Sequence, residues 1–309
     1  MPVPILVLLI LLGLYLLFIV LPTVILTLRT FRRRDKEELV SRDFSGSYYE
    51  PYVPEFKEAG RRLQALEPEE LRIQAKDGTP LYGRYFDRGA AVTAVLFHGF
   101  HATAERNCGA QALYFYEQGY NVLLIDMRAH GESGGRFTSF GLLEQEDVLS
   151  WCEEARKMPG VEALIVYGVS MGASSLGFAS DRFPAEVRAM IFDCGYTSPK
   201  DAFLPILKKK HLPYFLMMPV MRLMIWWMLS VDMYKDAREA LKTAKTPALF
   251  ILGEKDTTVD PALVRAAYEA CGAEKELLTV PGAEHTLAFL VDGDSVKAAI
   301  GRLLEKGFK

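Results

Sequence analysis

A five-residue turn, Gly168-Val169-Ser170-Met171-Gly172, constrains this chain more than any other feature. It lies between an apolar run at 163–167 and a stretch rich in small residues at 172–182. The run reads as a buried strand and the stretch after it as a helix. Passing from one to the other in so few residues needs a sharp turn. The two glycines permit it and leave Ser170 exposed at the helix N-terminus. A strand that feeds straight into a helix belongs in a mostly parallel sheet covered by crossover helices.

The other apolar segments agree with an α/β class. Runs at 71–75 and 81–86 flank Lys76-Asp77-Gly78-Thr79 and read as an antiparallel hairpin. Further strands are expected at 94–97, 122–125, 189–192, 248–252 and 276–280, and helices at 105–118, 141–157, 261–271 and 293–306. Segment 199–236 breaks the rhythm and is too long for a simple crossover. It carries Trp226, Trp227 and several methionines. A helical cap insertion over the C-terminal edge of the sheet is expected, covering the core, lining an apolar substrate pocket or touching a membrane.

Ile5 to Leu28 contains no charged residue. As a helix this stretch is about 36 Å long, enough to cross a hydrocarbon core of about 30 Å. Arg29, Arg32, Arg33, Arg34 and Lys36 follow it, and no basic residue precedes it. This asymmetry predicts a retained single-pass anchor through residues 5–28, with the catalytic body on the cytoplasmic side. The rival is a cleaved signal peptide, against which stand the missing basic start and the lack of a small-x-small cleavage site. The expected organisation is therefore an anchor with its basic flank at 1–34, a linker or short helices at 35–70, and a catalytic domain at 71–309 with its insertion near 199–236.

The formal net charge of −3, with no extended basic block in the body, argues against nucleic acid as a partner. Cys108, Cys152, Cys194 and Cys271 are scattered, without CxxC spacing or a zinc pattern involving the histidines. They read as small buried residues, and neither metal nor cofactor is expected.

A serine hydroxyl becomes a nucleophile when a base takes its proton and a carboxylate orients that base. Asp256 follows a late strand in Leu252-Gly253-Glu254-Lys255-Asp256, and His285 follows the last strand in Pro281-Gly282-Ala283-Glu284-His285. Ser170, Asp256 and His285 thus occur in the order this architecture requires. Asp260 is a rival acid, although Pro261 after it also suits a helix cap. His98, His101, His130 and His211 lack the position after the last strand. The backbone N–H groups of Met171 and of Phe100, in Phe97-His98-Gly99-Phe100, are the expected oxyanion donors. His98, Asp126 and His130 are assigned to loop support, and Asp193, Glu144 and Asp147 to structural polar roles.

Together the loops HGF, DMRAHGESGG, GVSMGA, GEKD and GAEH resemble those of the α/β-hydrolase superfamily, especially YqkD-like and serine-aminopeptidase-like hydrolases. The resemblance covers roughly residues 70–306. It implies the nucleophile role for Ser170, the acid for Asp256, the base for His285 and oxyanion contacts from Phe100 and Met171. A serine at the elbow sets the chain apart from dehalogenases, which resemble it but carry aspartate there. The expected function is a serine hydrolase, esterase- or lipase-like, that cleaves an ester or thioester with an apolar or lipid-like acyl group through an acyl-enzyme. The other readings are a peptidase or amidase, an acyltransferase, and a catalytically silent membrane scaffold.

Overall fold

The structure, a computed structural model, describes residues 2–308. The N-terminal helical stretch consists of α1 (Val3–Tyr15), a π-helical turn at Leu16–Val20 and α2 (Leu21–Phe31). The short α3 (Lys36–Val40), a 3-10 turn at Glu50–Tyr52 and α4 (Val53–Gln64) lead to β1 (Glu69–Gln74) and β2 (Pro80–Phe86). Strands and helices then alternate through β3 (Val92–Phe97), α5 (Ala104–Glu117), β4 (Asn121–Asp126), α6 (Glu144–Ala155), β5 (Ala163–Val169), α7 (Met171–Ala179) and β6 (Val187–Asp193). The insertion supplies α8 (Pro199–Lys209) and α9 (Tyr214–Leu229). The chain closes with α10 (Arg238–Thr243), β7 (Ala248–Gly253), α11 (Pro261–Ala270), β8 (Lys275–Val280), α12 (Ala288–Val291) and α13 (Gly293–Gly307).

Two compact units result, Arg33–Thr197 with Asp236–Lys309, and Met1–Arg32 with Ser198–Lys235. The larger holds an eight-stranded sheet in the order β1-β2-β4-β3-β5-β6-β7-β8. β1 and β2 form the antiparallel hairpin, β2 is also antiparallel to β4, and every other pairing is parallel. β4, β5 and β7 are buried along their whole length, which is why they read as continuous rather than alternating apolar runs. The chain places β4 on one side of β3 and β5 on the other. The loops leaving β3 and β5 therefore diverge and open a crevice at the C-terminal ends of these strands.

Residues 35–70, expected as a linker or short helices, are built into the larger unit. Leu39 is buried, and α4 packs on α5 through Ala59 and Leu63, both in the main apolar core. Part of the basic flank has a protein partner as well. The Arg33 guanidinium donates to the carbonyls of Ser133 and Gly131, its backbone N–H donates to Arg136 O at 2.9 Å, and Lys36 pairs with Glu132 at 2.8 Å.

In the smaller unit, the helical stretch Val3–Phe31 is 29 residues long and its most apolar window is unburied. At 1.5 Å per residue it reaches about 43 Å, enough to cross a bilayer, although a signal sequence has the same profile. The Thr23 and Thr27 hydroxyls donate to the carbonyls of Ile19 and Thr23 at 2.6 and 2.7 Å, so neither is left unpaired in an apolar setting. α2 packs on α9, and Phe31 stacks on Phe203 at 5.3 Å. α9 buries Met217, Met218, Met221 and Ile225 and exposes Phe215, Leu223, Trp226 and Trp227.

Candidate active site

β5 ends at Val169 and α7 starts at Met171, so Ser170 alone makes the turn, with φ 53° and ψ −113°. A non-glycine residue holds such a conformation only when its surroundings impose it. Here the Ser170 N–H donates to Asp193 O at 2.8 Å, which ties the turn to the end of β6. The flanking glycines are required by close approach. A Cβ at Gly172 would lie 2.1 Å from Phe97 O, and one at Gly168 would lie 2.5 Å from Ala173 N.

His285 and Asp256 reach this turn from the loops after β8 and β7. His285 Nε2 lies 2.9 Å from Ser170 Oγ, and His285 Nδ1 lies 2.7 Å from Asp256 Oδ2. In the neutral ring this places the proton on Nδ1, donated to the carboxylate, and leaves Nε2 to accept from the serine hydroxyl. Asp256 Oδ1 is held by the N–H groups of Thr258 and Val259 at 2.9 and 2.8 Å. The two loops are clipped together, since Glu284 accepts from the Thr257 hydroxyl at 3.1 Å and Lys255 N–H donates to Ala283 O at 2.9 Å. Asp260, the rival acid, instead caps α11 by accepting from Ala262 N–H at 2.9 Å. His211 lies in the turn between α8 and α9, within the smaller unit.

The loop after β3 carries Phe100 beside Ser170, and Met171 is the first residue of α7. Residues identified from sequence as loop supports surround them. His98 Nε2 accepts from Met127 N–H at 3.0 Å while its Nδ1 meets Gly99 O at 2.7 Å. His130 Nε2 accepts from His101 N–H at 2.9 Å while its Nδ1 meets Arg128 O at 2.9 Å. Each ring is thus a neutral bridge between two loops. Burial holds His98 well below the ordinary histidine range and also lowers His130. Asp126 pairs with Arg84 at 3.0 Å and accepts from Glu132 N–H at 2.9 Å. Glu144 accepts from Thr138, Ser139 and Gly141, and Asp147 makes a two-pronged pair with Arg128 at 2.7 and 2.6 Å. Asp193 accepts from the Tyr167 hydroxyl at 2.8 Å, and burial pushes its carboxyl up to about 6. Asn107 was not singled out in the sequence; its Oδ1 accepts from Gly99 N–H at 2.6 Å and braces the loop that carries Phe100.

Cys194, expected to be a small buried residue, is buried and also belongs to the site. Its Sγ, a carboxylate oxygen of Asp256 and a ring nitrogen of His285 all lie within 4.8 Å of one another. This overturns the serine-esterase expectation as it was read from residue types, in which Ser170 was the sole nucleophile beside the His–Asp pair. The two candidates differ in their setting. Ser170 Oγ holds the hydrogen bond to Nε2, whereas Cys194 follows β6 at φ 47° with 2% exposure. Burial pushes its thiol well above the ordinary cysteine range, away from the thiolate that a cysteine nucleophile requires. The same three side chains are the one metal-ligand cluster among the described residues, but a cation there would have to compete with the 2.7 Å bond between His285 and Asp256.

A small space of about 60 Å³ adjoins Ser170. Arg42, Phe44, Tyr49, Phe56, Phe100 and Arg106 are among its lining residues, and all the described lining belongs to the larger unit. Aromatic rings and two guanidinium groups thus stand beside Ser170. The segment before α4 also touches the catalytic loops. The Tyr48 hydroxyl lies 3.0 Å from that of Thr258, and the Thr286 hydroxyl donates to that of Tyr49 at 3.4 Å.

Residues 90–230 match the family described as serine aminopeptidase, S33. Taken with the strand order and the elbow, that match decides the classification. The chain belongs to the α/β-hydrolase superfamily. This α/β-hydrolase is 25% identical to the uncharacterized protein YqkD of Bacillus subtilis, over 62% of its own length and 64% of YqkD. It therefore spans a little under two thirds of that relative. It is 28% identical to the uncharacterized protein Rv2307c of Mycobacterium tuberculosis, over 75% of this chain and 77% of that one. Among solved structures, the Pyrococcus furiosus esterase Pf2001 superposes with a TM-score of 0.63 at 24% identity, over 79% of this chain and 94% of the esterase. At that identity the likeness concerns the fold.

Proposed function

We propose that the protein hydrolyses acyl compounds and that its His285–Asp256 pair activates Ser170 for attack on a substrate carbonyl. One observation carries this reading, the continuous chain of 2.7 and 2.9 Å contacts from Asp256 through His285 to the strained turn at Ser170. In this reading His285 Nε2 takes the hydroxyl proton as Ser170 Oγ bonds to the carbonyl carbon, and Asp256 stabilises the resulting imidazolium. The N–H groups of Phe100 and Met171 receive the oxyanion. His285 then returns the proton to the leaving group and deprotonates a water that releases the acid. The leaving group is an alcohol, thiol or amine, and nothing in the lining singles out an apolar acyl chain.

Cys194 supplies a second reading because its sulfur lies within 4.8 Å of both members of the pair. Turnover of one acyl group presented as an ester and as an amide separates the two. Ser170→Ala is expected to lower kcat by about a thousandfold or more, and Cys194→Ala by less than about tenfold. The reverse order of losses would make Cys194 the nucleophile.

The helical stretch Val3–Phe31 is proposed as a single-pass anchor with the larger unit on the cytoplasmic side. Its charge-free length and the basic residues that follow support this. The exposed Trp226 and Trp227 of α9, which packs on α2, suit the interfacial region of the same bilayer.

A further inference from the structure

Arg42 and Arg106 face the space beside Ser170, and no carboxylate partner for either occurs among the described residues. Arg106 instead donates to the carbonyls of Leu39 and His101 at 2.7 and 3.1 Å. Both guanidinium groups lie over the ring of Phe44, with Cζ 5.4 and 5.1 Å from its centroid. Two like charges are thus gathered at one aromatic wall with no counter-anion. Burial and the nearby Arg42 charge bring Arg106 down to about 10. An anion arriving beside the guanidinium would oppose that shift.

The wall has a second side. Arg42, Phe44, Phe56 and Arg106 also line a neighbouring cavity of about 690 Å³ between α4, β2 and the start of α5. Of the other charged groups lining it, Lys36 is paired with Glu132, Arg84 with Glu105 and Asp126, and Glu70 lies 4.0 Å from Arg72, while Lys57 adds a further cation. The space beside Ser170 is about 60 Å³, too small to hold more than the reacting carbonyl, whereas the cavity behind Phe44 has the size of a small-molecule site.

We infer that Arg42 and Arg106 bind an anionic group, a carboxylate in the first instance, on the acyl part of the substrate, and that the cavity behind Phe44 receives that end. This rests on the acyl-hydrolase reading above. The guanidinium groups exchange the Phe44 ring for a charge-assisted, fork-shaped contact with the carboxylate, and Phe44 swings aside to join the two spaces. A compound with an acyl bond at one end and a carboxylate at the other, such as a half-ester of a short dicarboxylic acid, meets both requirements.

Mono-4-nitrophenyl glutarate and 4-nitrophenyl pentanoate share acyl length and leaving group and differ in the terminal charge. With the full chain in mild detergent at low salt, kcat/KM is expected to favour the glutarate by about tenfold or more. That ratio should fall toward one in Arg42→Gln, in Arg106→Gln and, with no substitution, at about 0.5 M salt. Calorimetric binding of the two esters to Ser170→Ala gives a second reading of the preference without turnover. A preference for pentanoate, a ratio indifferent to both substitutions and to salt, or equal binding of the two esters would overturn the anion site. Turnover of both esters that survives Ser170→Ala would instead overturn the Ser170 reading beneath it, and the absence of turnover of either ester by the unsubstituted protein would overturn the acyl-hydrolase reading.

Discussion

An added methyl group at position 172 would sit 2.1 Å from the Phe97 carbonyl oxygen, and its nearest neighbours are all backbone atoms of Phe97 and His98 that cannot turn aside as a side chain could. Gly172→Ala is therefore expected to lose soluble, folded protein or at least several kcal/mol of stability, read by urea denaturation. At Asn107, removal of the side chain leaves the Gly99 N–H without its 2.6 Å acceptor and frees the loop that carries Phe100. Asn107→Ala should lower kcat about ten- to a hundredfold with a smaller change in KM, because the oxyanion donor is misplaced in the transition state. The buried histidines set an acid limit. His98 and His130 have folded pKa values below the unfolded value of about 6.5, so the unfolded chain binds the extra protons. Their contribution is fully present above pH 6.5. Below it, stability falls by up to about 1.4 kcal/mol per pH unit for each ring until its folded pKa is reached. Denaturant midpoints between pH 5 and pH 8 check this, and a flat profile would show that the rings are not held neutral. That Ser170, Asp256 and His285 would meet could be read from sequence because each follows a strand within a short local pattern. Asn107, Arg42, Arg106 and Cys194 left no such signal, since folding alone brings them to the serine.

At the scale of elements, the strands of the sheet core were legible because burial on both faces turns them into continuous apolar runs, as in β4 and β5. Short helices were expected before β1 and are present, but the sequence left open whether they meet the core, because α4 is polar on average and buries only Ala59 and Leu63. Its hold on α5 is nevertheless part of the core, and Leu63→Ala should cost about 2–5 kcal/mol by denaturation. The insertion was recognised as helical by its length and composition, but its apolar residues carried no mark of which surface they would meet. With Trp226 and Trp227 exposed and Trp151 fully buried, tryptophan emission offers a direct reading of α9. Transfer from detergent to vesicles with brominated acyl chains should quench the emission, and Trp226→Phe with Trp227→Phe should abolish most of the quenching. Unchanged emission would place α9 away from the bilayer.

In the whole molecule, a sheet fixes a strained serine turn, two loops deliver an oriented histidine to it, and aromatic and basic residues between Arg42 and Phe56 line the space beside it. The parallel sheet was legible as a class because helix and strand signals alternate along the chain. Its strand order, and with it the crevice between β3 and β5, depends on pairings distant in sequence. Ser170, rather than the nearby Cys194, is proposed to hold the activated position. The most direct measurement is covalent trapping of the full chain with a fluorophosphonate, followed by peptide mapping of the adduct. A single adduct on Ser170, lost in His285→Ala and retained in Cys194→Ala, is expected. An adduct on Cys194, or labelling of Ser170 that is indifferent to His285, would contradict it.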